Sequence, residues 1–199
     1  MRRSATRAPK AKVFVVSAPS GCGKTTLCNK LLRDALGLVD SVSMTTRRPR
    51  PGEKRGADYR FISKKRFLCL IKKKAFLEYE ENFGNLYGTP KRFVEVNLAK
   101  GRSVLLSIDV KGAAKIRRSY PGRSVLIFIL PPSIEALKRR LHMRKSDTPE
   151  EVKRRLLLAR KEMAHKDRYD HRIVNDRLDD AYRALKRIVR KELEETKNE

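Results

Sequence analysis

The chain has no tryptophan and only three cysteines, Cys22, Cys28 and Cys69, in 199 residues. An odd cysteine count without metal-ligand spacing argues against a disulfide framework and points to thiols in a reducing compartment. The three histidines, His142, His165 and His171, form no ligand pattern either, so no structural metal is expected. No apolar run approaches the ~20 residues of a membrane span and no secretory signal pattern is visible; a soluble, cytoplasmic protein without a membrane partner is expected. Acidic residues are also scarce. Against 49 Lys and Arg stand 23 Asp and Glu, a net charge of +26. The excess is spread over residues 47–55, 64–74, 138–145 and 153–161. Neither an RNA-binding motif nor an aromatic stacking platform accompanies it, so a solvated basic surface is expected rather than a physiological nucleic-acid partner. Residues 1–12 are Arg-rich and free of acids, and read as a disordered basic arm. The length allows one sizeable core with a smaller inserted lobe.

What the chain does contain is concentrated near its start. Val13-Phe14-Val15-Val16 is an apolar, mostly β-branched run that predicts a buried strand. A short turn, Ser17-Ala18-Pro19-Ser20-Gly21-Cys22-Gly23, then leads into Lys24-Thr25-Thr26-Leu27-Cys28, the start of a helical pattern. Strand, glycine-containing loop and helix in this order make a phosphate-binding P-loop. A loop that wraps a polyphosphate must aim successive backbone N–H groups inward, and Gly21 and Gly23 remove the Cβ atoms that would obstruct this. The helix N-terminus adds unpaired N–H groups and partial positive charge. Lys24 is placed to reach the β- and γ-phosphates, and the Thr25 hydroxyl to ligate Mg²⁺. Ala18 stands where the pattern has its first glycine, which requires a negative φ there.

Further along, residues 37–40 read as a break and 41–46 as a strand. The loop at 47–56 carries Arg47, Arg48 and Arg50 between prolines and glycines, a set of fork-shaped donors suited to a phosphate. Residues 59–62 predict a strand, Ser63 the cap of a helix to about Lys73, 76–79 a strand with Glu78 inside it, and 83–90 a turn before a helix ending near Gly101. Residues 103–109 restore the buried-strand pattern and end in Asp109, an acid placed to help hold Mg²⁺ through water. A strand at 124–130, a helix capped by Ser133, a second helix from Pro149, a short strand at 172–175 and an amphipathic helix at 178–194 complete the chain. Alternating strands and helices predict an α/β fold, a parallel sheet covered by helices on both faces.

Taken together, these motifs resemble those of guanylate kinases, nucleoside monophosphate kinases of the P-loop class. The resemblance runs from Val13 to the last helix. It rests on the P-loop, on Ser43-Met44-Thr45-Thr46-Arg47-Arg48-Pro49-Arg50-Pro51-Gly52-Glu53, on Phe76-Leu77-Glu78, on Gly84-Asn85-Leu86-Tyr87-Gly88-Thr89, on Ile108-Asp109-Val110-Lys111-Gly112 and on Ile173-Val174-Asn175-Asp176. It implies reversible, Mg²⁺-dependent transfer of the ATP γ-phosphoryl to GMP, and to dGMP, in purine nucleotide metabolism. The implied ATP-binding residues are Ala18, Pro19, Ser20, Gly21, Cys22, Gly23, Lys24, Thr25, Thr26 and, near the adenine, Asn175. On the GMP side they are Ser43, Arg47, Arg50, Glu53, Tyr59, Glu78, Tyr87, Thr89, Ser107 and Asp109, with Glu78 facing the guanine N1 and N2 donors. Lys24, Arg47 and the lid arginines Arg140, Arg144 and Arg155 are the implied catalytic groups; Thr25 and Asp109 hold the metal. The implied organisation is a core of residues 13–36 and 90–199, a GMP-binding lobe at about 37–89 and a helical lid at about 140–160. Ser107 stands where many members have Asp, which makes it a weaker acceptor for a guanine N–H.

Two other functions fit parts of the pattern. A kinase of a phosphorylated ribose would leave Glu78, Ser43 and Thr89 with nothing to bind. An inactive interaction module would not need the complete Gly23-Lys24-Thr25. The oligomeric state is left open by the sequence.

Overall fold

The computed structural model describes residues 11–34, 36–50, 52–82, 84–143 and 148–198. Ten of the twelve residues of the expected arm, and Arg144, lie outside these. The last two residues of that expected arm belong to the core instead: Ala11 is buried and its carbonyl accepts from the Arg123 guanidinium, while Lys12 pairs with Glu192 at 2.8 Å.

The main sheet is built from β1 (Val13–Ser17), β2 (Val39–Asp40), β7 (Val104–Ser107), β8 (Ser124–Leu130) and β9 (His171–Val174), in the order β2-β7-β1-β8-β9 and parallel throughout. Parallel strands need crossovers, and helices supply them: α1 (Lys24–Arg33), α3 (Lys91–Ala99), α4 (Val110–Ser119), α5 (Ile134–His142) and α6 (Pro149–Met163), while α7 (Leu178–Asn198) follows the last strand and packs back onto the sheet. Side chains of a strand alternate between faces, so the sheet feeds two cores. Phe14, Val16, Leu105 and Ile127 pack with Leu27, Leu31, Leu137, Leu141, Leu185 and Val189 of α1, α5 and α7. Val13, Val15, Leu106 and Phe128 pack on the other face with Val94, Leu98, Ala113 and Ile116 of α3 and α4. A fully buried side chain of this size contributes roughly 2 kcal/mol through removal of apolar surface from water.

A second sheet, in the order β4-β3-β6-β5, is formed by β3 (Met44–Thr45), β4 (Arg60–Phe61), β5 (Phe76–Asn82) and β6 (Asn85–Pro90), with α2 (Lys64–Lys72) beside it. Here β3 and β4 are parallel and the other pairs antiparallel. The helix caps read from the sequence are present: Ser63 accepts from the Arg66 N–H and Ser133 from the Ala136 N–H.

Several elements differ from the sequence reading. Residues 83–90, expected as a turn, are mostly strand β6; pairing Glu80 with Tyr87 and Asn82 with Asn85 confines the turn to its start, where Gly84 supplies φ 74°. Val39–Asp40, expected as a break, is the edge strand of the main sheet, held by parallel pairing to β7. The expected strand at 41–46 shortens to Met44–Thr45. Helix α4 was not read from the sequence; the Asp109 carboxylate, assigned there to metal, caps it by accepting from the Lys111 and Gly112 N–H groups. Among the described residues no helix is long and apolar enough to cross a membrane.

Candidate active site

The P-loop joins β1 to α1 with Gly21 at φ 94° and Gly23 at φ 81°, both in the left-handed region that L side chains avoid. Ala18 holds no such conformation, so its methyl group is compatible with the loop. Gly23 has a second reason to be glycine. A Cβ there would meet the Asn175 amide nitrogen at 2.5 Å. Asn175, buried at the end of β9, donates from that nitrogen to the Cys22 carbonyl at 2.8 Å. Expected beside the adenine, it clamps the outer side of the P-loop in this structure. Arg140 likewise donates to the Asn175 and Asp176 carbonyls, at 2.9 and 3.1 Å, and does not line the cleft. The Cys22 thiol is buried and pushed up to about 12 by loss of hydration. It packs into the core while its neighbours face the cleft.

That cleft runs between the two sheets. The P-loop residues Ala18, Pro19, Ser20, Gly21, Gly23, Lys24, Thr25 and Thr26 form one wall. Ser43, Arg50, Tyr59, Glu78, Tyr87, Ser107 and Asp109 face them. An adjoining recess is lined by Arg47, Glu53, Asp40 and Asp58 together with Thr25, Ser43, Tyr59, Tyr87 and Ser107. Lys24 is half-buried at the start of α1, and its ammonium donates to the Ile108 carbonyl at 3.3 Å. Burial lowers its pKa, and the nearby Cys28, Asp109, Glu162 and Glu78 work in the opposite direction. A partly desolvated ammonium is held ready for an anion.

On the opposite side, the Glu78 carboxylate is buried in β5 with its pKa pushed up to about 7, first by desolvation and then by Asp109, against a lowering hydrogen bond from Thr89. The Thr89 hydroxyl, fully buried, donates to Glu78 Oε1. It orients the carboxylate and does not line the cleft. Glu78 Oε2 lies where a Cβ on Gly112 would come within 2.7 Å, so the missing side chain in the first turn of α4 makes room for it. In the arginine loop, Glu53 receives Arg47 through both guanidinium nitrogens at 2.8 and 3.0 Å and the Arg50 N–H at 2.7 Å. Glu53 therefore shapes the loop, and Arg47 also lies 5.4 Å from the Tyr59 ring centre.

Helix α6 turns Arg155, expected as a lid arginine, toward the cleft together with Leu158 and Glu162, which escaped the sequence reading; these positions are three and seven apart and hence on one helical face. Arg155 donates to the Ser20 hydroxyl at 3.2 Å. Glu162 is pushed up to about 7 by burial, countered by Lys24 and reinforced by Asp109. Asn82 donates to Asp109 Oδ2 at 2.7 Å. Glu80 lines the cleft as well, two positions from Glu78 on the same strand face. The resemblance pointed to Arg155, but no local pattern in the sequence showed that Glu162 shares its face toward the P-loop.

A metal would find oxygen donors at Thr25 and Asp109 in the same cleft. Among the described residues no group of three His, Cys, Asp or Glu is arranged to enclose one. Two hard oxygen donors suit Mg²⁺, which keeps several waters and takes other ligands from phosphates. The residues present fit that ion.

The guanylate kinase family profile matches residues 10–192. The chain belongs to the guanylate kinase family. It is 48% identical over 180 residues to the guanylate kinase of Wolbachia pipientis wMel, covering 90% of each chain, and 46% identical to that of Dechloromonas aromatica, covering 89% and 88%. The crystal structure of guanylate kinase from Anaplasma phagocytophilum superposes with a TM-score of 0.78 at 38% identity, covering 93% of this chain and 87% of that one. The parallel five-stranded sheet between helices is the P-loop fold of that family.

Proposed function

We propose that the cleft divides into an ATP side, built on the P-loop and α6, and a GMP side, built on the second sheet, with the phosphates meeting near Lys24. The chain is an ATP:GMP phosphotransferase. One observation carries the assignment of sides: Lys24 and Glu78 line one cavity, the first a partly desolvated cation at a helix N-terminus and the second a buried carboxylate without an ion-pair partner among the described residues. The cation suits phosphates. The carboxylate suits a base edge that presents two N–H donors, as guanine does at N1 and N2; adenine would leave it unpaired in a desolvated site. Ser43 and Ser107 supply hydroxyls on that side, and Tyr59, Tyr87, Arg47 and Arg50 supply donors for the acceptor phosphate.

Transfer moves a phosphoryl group between two anionic oxygens, so no general base is needed and the protein contributes positioning and charge neutralisation. The P-loop N–H groups and Lys24 hold the donor phosphates, and Arg47 and Arg155 supply further positive charge from the two sides. Asn175 and Arg140 keep the P-loop and the end of β9 in register from behind. Thr25 and Asp109 would hold Mg²⁺, which neutralises phosphate charge when bound. The lobe formed by the second sheet and the helical lid at about 140–160, most of it α6, close over the ligands, excluding water that would otherwise hydrolyse ATP. The three free cysteines fit a reducing cytoplasm.

The deciding experiment measures Mg²⁺- and ATP-dependent ADP formation with GMP, dGMP, AMP, CMP, UMP and ribose 1,5-bisphosphate as separate acceptors. Turnover is expected with GMP and dGMP, and a fall in kcat of at least about 100-fold in Lys24→Ala, the scale of one lost oxyanion contact. Equal turnover with AMP would overturn the role given to Glu78.

A further inference from the structure

Behind the catalytic cleft lies a second cavity, of about 450 Å³, between α4 and the segment that joins α6 to β9. Its floor is apolar: Val110, Ala113 and Ala114 of α4, Leu126 of β8 and the ring of Tyr169. Two successive alanines on α4 leave the space open. Its rim is cationic, with Lys111, Lys115, Arg117 and Arg118 on α4 and His165 and Arg168 opposite. Arg117 is spent on Asp170 and the Ser124 carbonyl. Lys111 reaches only the far side of a carboxylate at 3.8 Å, and neither Arg118 nor Arg168 is ion-paired among the described residues. A concave apolar floor under unneutralised cations suits a ligand with a flat apolar body and one anionic group.

Among the described residues, Glu80 is the sole acid of this rim and the one residue it shares with the catalytic cleft. Its Oε1 accepts from Lys115 at 2.6 Å, and Lys111 stands at 3.8 Å from Oε2. The two lysines thus neutralise a carboxylate that otherwise adds negative potential where anionic nucleotides must enter.

We propose that this cavity is a regulatory site for a small amphipathic anion, which draws Lys111 and Lys115 away from Glu80 and so weakens the binding of GMP in the neighbouring cleft. The occupant is defined by chemistry: a planar apolar or aromatic body with a sulfonate, carboxylate or phosphate. The coupling is reciprocal, so GMP weakens the anion to the same degree. The binding half is independent of the functional reading, whereas the inhibitory half rests on it.

The probe is 1-anilinonaphthalene-8-sulfonate, titrated into the full chain by fluorescence with the catalytic cleft filled by GMP and a non-hydrolysable ATP analogue. Saturable binding at one site is expected. Ala114→Leu, which fills the cavity, and the double variant Arg118→Gln/Arg168→Gln, which removes the anion's partners, should each weaken it at least about tenfold while kcat stays at the wild-type level. The double variant leaves the floor intact and covers the case in which Ala114→Leu disturbs folding. In turnover assays the probe should raise the KM for GMP about fivefold with little change in kcat, the low end of typical allosteric coupling. That rise should vanish in Glu80→Gln. Binding that is abolished by the nucleotides, or untouched by both cavity variants, would overturn the site. Binding that follows the variants but leaves the KM unchanged would overturn the coupling through Glu80.

Discussion

Glu78 answers to two opposing demands. Burial favours its protonated form, holding its pKa at about 7, while the role proposed for it, accepting two N–H donors of a guanine, requires the carboxylate. Guanosine, which lacks a titrating phosphate, is therefore expected to bind more tightly as pH rises from about 6, levelling off above about 7; calorimetric titration checks this, and Glu78→Gln should lose the pH dependence. The stability effect has the opposite sign. A carboxyl whose folded pKa is raised above its ordinary 4.5 stabilises the fold fully below that value and loses the contribution as pH climbs through about 7. The stability of wild type relative to Glu78→Gln in urea should thus decline across this window by roughly 3 kcal/mol. Gly112 belongs to the same site. Its replacement by Ala places a methyl group 2.7 Å from Glu78 Oε2 and should raise the KM for GMP at least about tenfold, with the KM for ATP little changed.

At the scale of elements, α6 combines a local signal with a tertiary one. Thr148 and Glu151 form a reciprocal capping box ahead of Pro149, so the start of this helix was legible in the sequence. Thr148→Ala should cost about 1 kcal/mol of helix stability. Local hydrogen exchange in residues 149–155 is the sensitive measurement, since the global transition averages over both cores. The resemblance singled out Arg155, but the charge pattern alone did not show which face α6 presents, because α6 carries arginine and lysine around most of its circumference. Packing against the P-loop selects Arg155 and Glu162. A similar case is β9, whose terminal Asn175 holds the Cys22 carbonyl. Asn175→Ala should raise the KM for ATP severalfold while leaving that for GMP nearly unchanged, as measured by initial rates with each substrate varied.

At the scale of the molecule, a net charge of +26 is a standing repulsion among surface cations that the scattered ion pairs only partly relieve. Salt screens such repulsion over about 10 Å at 0.1 M. Thermal unfolding midpoints should therefore rise as sodium chloride is increased from about 50 to about 500 mM, an opposite response to that of a fold held by surface salt bridges.

The sequence by itself determined the features that depend on near neighbours. These are the buried β1 and β8 runs, the glycines of the P-loop, the Ser63 and Ser133 caps and the start of α6 at Pro149, since strand burial, positive φ and capping act within a few residues. Only the tertiary structure decided the features set by partners far along the chain. Val39–Asp40 becomes a strand because β7, over 60 residues away, offers its edge. Residues 85–90 become β6 because β5 pairs with them rather than because of their own composition. Thr89, Asn175 and Arg140 hold other site groups from behind, and Glu162 faces the P-loop lysine, because folding sets carbonyls, carboxylates and amides beside one another across gaps that no local pattern records.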